Sequence, residues 1–69
     1  MLLKKLLKQH NEIVDVDYQI GKYAGFVSVE YLNNSKTVKD SLANKLMYSE
    51  VKELKGIDTK HGVLYVDLK

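Results

Sequence analysis

The stretch from Thr37 to Gly56 makes the tightest demand on how this chain can fold. Thr37 can accept a hydrogen bond at a helix start, with Asp40 three residues on, at the spacing of a capping box. Lys55 and Gly56 supply a cationic last turn and a residue that takes left-handed dihedrals freely. Between them Leu42, Ala43, Leu46, Met47, Val51 and Leu54 recur three or four apart and mark one apolar side. The spacing predicts one helix over 37–55, about 27 Å long at ~1.5 Å per residue. That is enough to cross a sheet.

Period changes elsewhere. Residues 2–10 place Leu2, Leu3, Leu6, Leu7 and His10 on one helical arc and Lys4, Lys5, Lys8 and Gln9 opposite, predicting a short amphipathic helix. From Ile13 to Ile20 the even positions are apolar and Asp15, Asp17 and Gln19 polar, the period of a half-buried strand. Gly21–Gly25 reads as a hairpin loop of five residues, and Phe26–Leu32 as a second alternating strand. Val63–Leu68 reads as a third, with Leu64, Val66 and Leu68 facing the core. The predicted order is α-β-β-α-β. It is a small α+β domain spanning residues 1–69, a mostly antiparallel three-stranded sheet with one long helix on one face. The partner of the third strand is left open. An all-α hairpin competes, because Leu2, Leu6, Gln9, Ile13, Val16, Ile20, Tyr23 and Val27 also follow heptad spacing. Two glycines within five residues and two runs of β-formers weigh against it.

Sixty-nine residues with 45% apolar and 29% charged composition exclude a disordered tail and fit one domain. A domain this small buries only roughly 60% of its unfolded surface, which makes self-association to a homodimer an expectation. Cysteine is absent, removing disulfides and thiolate metal sites and fitting a reducing, cytoplasmic setting. No apolar run approaches the ~20 residues that cross a bilayer. A membrane-surface role for residues 2–10 is disfavoured, since the segment is short and lacks interfacial Trp or Phe. All eleven basic residues are lysine, so the bidentate arginine contacts of most base-specific DNA readers are missing. Small size and lysine-rich composition suit a regulator of the kind that mobile-element or phage genomes encode.

No phosphate-binding glycine loop, metal-ligand pairing or nucleophile motif occurs. His10 and His61 stand far apart without partners, so neither catalysis nor a cofactor is expected. Charge position is more informative. The net charge is +2, yet the predicted helices carry Lys4, Lys5, Lys8, Lys36, Lys39, Lys45, Lys52 and Lys55 against Asp40, Glu50 and Glu53. The predicted strands carry Glu12, Asp15, Asp17, Glu30 and Asp67 and no lysine.

The pattern places Asp15, Asp17, Glu30 and Asp67 on the sheet face away from the helix, with Ile13, Phe26, Val63 and Tyr65 among them. A solvated, solubilising face would look the same. An apolar centre ringed by acids also suits a basic protein partner, with aromatics as anchors and carboxylates steering approach. The leading expectation is therefore a non-enzymatic protein-interaction module, a regulator or inhibitor binding through Asp15, Asp17, Phe26, Glu30, Tyr65 and Asp67. The alternative is a sequence-tolerant nucleic-acid accessory protein using Lys36, Lys39, Lys45, Lys52 and Lys55 on helix 37–55.

Overall fold

Polar-apolar alternation from Asp15 to Ile20 is realised as strand β1 (Asp15–Ile20) in the computed structural model, which describes residues 1–69. Gly21 and Lys22 alone reverse the chain. Ile20 pairs with Tyr23, and Gly21 takes φ +58°, the left-handed geometry a two-residue hairpin turn needs. The five-residue loop expected over 21–25 is therefore replaced by a tight turn, and Tyr23, Ala24 and Gly25 join strand β2 (Tyr23–Ser28). Gly25 belongs there because the Tyr18 ring lies over it: a Cβ at Gly25 would sit 2.5 Å from Tyr18 Oη.

Alternation past Ser28 does not continue as strand. The Ser28 side chain accepts a hydrogen bond from Tyr31 N, capping helix α2 (Val29–Ser35), and Glu30 stands in its first turn where a negative charge is favoured. Leu32 is thereby turned into the core. The N-terminal leucines form helix α1 (Leu3–Lys8), burying Leu3, Leu6 and Leu7. Both hairpin strands in residues 15–28 exclude the all-α alternative.

The single helix over 37–55 is not formed. Asp40 adopts φ +64°, breaking any helix begun at Thr37. Ser41 caps helix α3 (Leu42–Met47) instead, accepting from Asn44 N at 3.0 Å and donating to Ser35 O at 3.0 Å. After Met47 the chain turns, and residues 51–58 become strand β3 (Val51–Asp58), paired antiparallel with strand β4 (Val63–Leu68). Two register shifts, between Val51 and Glu53 and between Leu54 and Gly56, each insert one residue into β3. The positions opposite Leu68, Val66 and Leu64 are consequently Val51, Leu54 and Ile57, three apart. A twice-bulged strand thus mimics the i, i+3 rhythm of a helix. Gly56, expected to close a helix, lies opposite Tyr65 with open space where a Cβ would project.

The four strands form one mixed sheet of order β2-β1-β4-β3, with β1 and β4 parallel at its centre. The third predicted strand therefore lies beside the first. All three helices cover one face. There Leu3, Leu6, Leu7, Ile13, Leu32, Ala43, Leu46 and Met47 pack with Val16, Tyr18, Leu64, Val66 and Leu68 of the two central strands. Residues 1–3 bind residues 49–51: Leu3 N donates to Ser49 O, Val51 N to Met1 O, and the Met1 ammonium to Glu50 Oε2 at 2.8 Å. No helix is long and apolar enough to cross a membrane.

Candidate functional site: the open sheet face and the β2 edge

Side chains that alternate away from the helices define the other face of the sheet. The strand register sets them in rows. One row runs Phe26, Asp17, Tyr65 and Gly56; a second runs Ser28, Asp15, Val63 and Asp58; a third runs Ala24, Gln19, Asp67 and Glu53. No helix covers these rows, and Phe26 is 59% and Tyr65 39% exposed. Asp17 therefore sits between two accessible aromatic rings. Neither Asp15, Asp17 nor Glu30 has a cation within 4 Å, whereas Asp67 Oδ2 pairs with Lys55 Nζ at 3.6 Å and its Oδ1 is covered without a hydrogen-bond partner.

Of the residues singled out for partner binding, Asp15, Asp17, Phe26, Tyr65 and Asp67 share this face. Glu30 does not lie in the sheet, because Ser28 ends β2 and starts α2. It instead lines, with Asp15, Ser28 and Val14, a wide shallow depression of about 450 Å³ at the end of the β1–β2 hairpin. Ile13, expected on the open face, is only 3% exposed and belongs to the core beneath the helices. Val63 does lie on the open face but is buried.

The lysine face fares differently. With helix 37–55 replaced by α3 and β3, its five lysines disperse. Lys36 caps the end of α2, Lys39 lies in the α2–α3 loop and Lys45 in the last turn of α3. Lys52 and Lys55 stand at the two bulges of β3. Lys55 lines a hollow with Asp17, Tyr65 and Asp67, and Lys52 another with Gln19 and Asp67, so both are set among the acids.

The backbone adds a feature that side-chain patterns did not announce. β2 and β3 are the two edges of the sheet, and they are built in opposite ways. β3 carries Lys52, Glu53, Lys55 and Asp58 and two bulges, the devices that discourage another strand from pairing. β2, Tyr-Ala-Gly-Phe-Val-Ser, has no charge and an unbroken register. In a two-residue hairpin the pair flanking the turn exchanges both ladder bonds, so Tyr23, Gly25 and Val27 bond inward to β1. The next pair in this alternation confirms it, Val29 N donating to Val14 O at 2.8 Å. The N–H and C=O groups of Ala24 and Phe26 and the N–H of Ser28 therefore point outward, the Ser28 carbonyl being turned into the first turn of α2. The side chains of these three residues are the ones on the open face. Edge and face present one surface.

The chain matches no protein family, and no curated protein or solved structure is similar to it.

Proposed function

We propose that this protein is a non-enzymatic binding module that takes up an extended, basic segment of a protein partner along β2. The observation that carries this reading is the contrast between the two sheet edges: β3 is charged and bulged, β2 uncharged and straight, with acids and an aromatic ring beside it. An added strand would draw its main-chain hydrogen bonds from Ala24, Phe26 and Ser28, as in β-augmentation. A lysine or arginine opposite Phe26 would lay its aliphatic stem over that ring and bring its charge to Asp17. One opposite Ser28, two residues away on the same face, would meet Asp15 and Glu30. The preferred segment therefore carries basic residues at alternate positions.

Affinity of a labelled extended peptide with alternating lysines, measured by fluorescence anisotropy, tests this. Asp15→Lys with Asp17→Lys should weaken binding by about tenfold or more per reversed charge, while neutralising Lys45 and Lys52 should leave it unchanged. Loss of binding on neutralising Lys45 and Lys52, or preference for a nucleic-acid oligomer over the peptide, would favour the accessory nucleic-acid role instead. A homodimer closed through the same edge would occupy the proposed surface; light scattering on the free chain distinguishes that outcome.

A further inference from the structure

On the helical side, away from the open sheet face, a hollow of about 230 Å³ lies where α1, the loop after it and α2 converge. Its inner wall is apolar: Leu7, Ile13, Val29 and Met47. Its mouth holds Lys4, Lys8, Lys36 and His10, with the Asn11 and Asn33 amides between them, and no carboxylate lines it. Glu12 reaches this rim, its carboxylate 3.5 Å from His10 Nδ1, and Asp15 and Glu30 line the adjoining depression that shares Ile13, Val29 and Asn33 with it. None of the three lysines is in an ion pair; Lys4 instead places its ammonium 4.6 Å above the Tyr48 ring, a contact that itself carries no negative charge.

Three lysines lining a concavity that no carboxylate lines leave a local excess of positive charge, and an entering anion offsets it. A purely inorganic anion would leave the four apolar walls wet, whereas a purely apolar ligand would ignore the rim. We infer that this hollow is a binding site for a small organic anion, with an apolar body of about one ring inside and a phosphate or carboxylate held among Lys4, Lys8 and Lys36. The volume lies below the ~300 Å³ at which drug-sized ligands are accommodated, which limits the ligand to that size. The hollow adjoins the depression of Asp15 and Glu30 but is lined by none of Ala24, Phe26 and Ser28, whose backbone would pair with a peptide, so either reading can fail without the other.

Phenyl phosphate is a suitable probe, with inorganic phosphate and phenol as the two halves of its chemistry, each titrated into isotope-labelled protein and followed by NMR. Phenyl phosphate should shift the methyls of Leu7, Ile13, Val29 and Met47 and the side-chain amides of Asn11 and Asn33 along one saturating curve. Its affinity should fall with added salt and drop about tenfold for each ammonium removed in Lys8→Ala and Lys36→Ala, while Lys60→Ala leaves it unchanged. The salt dependence is read on the unmodified chain, so it stands even if a variant folds poorly. Phenol binding as well as phenyl phosphate, affinity unmoved by the lysine substitutions, or non-saturating shifts spread over Lys22, Lys60 and Lys69 would each overturn the assignment.

Discussion

Gly25 lies under the Tyr18 ring on the core side of the sheet, while the next residue, Phe26, projects onto the open side. Its missing side chain lets Tyr18, itself buried, lean across β2 toward the edge. Gly25→Ala should therefore push Tyr18 off its seat and cost about 1–3 kcal/mol in chemical denaturation. Gly56, opposite Tyr65, has nothing within 4 Å of the point where a methyl group would project, and Gly56→Ala should change stability by no more than about 0.5 kcal/mol. Equal effects at the two glycines would mean that Tyr18 does not occupy that seat. In the β3–β4 connection, His61 hydrogen-bonds the Asp58 carboxylate through both its side chain and its backbone N–H, at 2.8 and 3.2 Å. The side-chain bond is the larger cause, and together they hold the Asp58 carboxyl below the usual carboxylate range. A depressed folded pKa stabilises the fold above the unfolded value of about 3.9 and is lost as pH falls through the folded one. Carboxyl NMR should show Asp58 titrating below the usual carboxylate range, and His61→Ala should raise its pKa while the backbone N–H of residue 61 keeps part of the depression.

At the scale of elements, caps decided where the chain departs from its hydrophobic rhythm. Ser28 and Ser41 each accept from the N–H three residues on, and each starts a helix that apolar spacing alone did not delimit. Ser41→Ala should cost about 0.5–2 kcal/mol, whereas Thr37→Ala, at the expected but unused cap, should be neutral within ~0.5 kcal/mol. Thermal or denaturant melts of the two variants separate these outcomes. Strand β4 and the amphipathic α1 were readable because their patterns run uninterrupted through one environment. β3 was not: each bulge adds a residue between inward positions, so Val51, Leu54 and Ile57 keep helical spacing in an extended chain. The cost of that geometry is visible at Leu54, which faces the helical side at the sheet edge yet stays 44% exposed.

In the whole molecule, acids gather on the open face, but the lysines form no opposing face, since Lys52 and Lys55 stand beside Asp67. Asp15 and Asp17 lie on the open face because β1 alternates as the sequence indicated, and Phe26 and Tyr65 flank Asp17 because β2 and β4 pair on either side of it. That much of the candidate surface was legible. Glu30 and the lysine row were misplaced for one reason, since each depended on an element boundary set by a cap or a bulge. The outward backbone of Ala24, Phe26 and Ser28 was not legible at all, because strand order is fixed by long-range pairing that no local pattern encodes. Those amides now offer the most direct measurement. Amide hydrogen exchange with and without the alternating-lysine peptide should show new protection at Ala24, Phe26 and Ser28, with Tyr23, Gly25 and Val27 already protected in the free protein. Protection that appears along β3 instead, or no change at these three amides under saturating peptide, would contradict strand addition at β2.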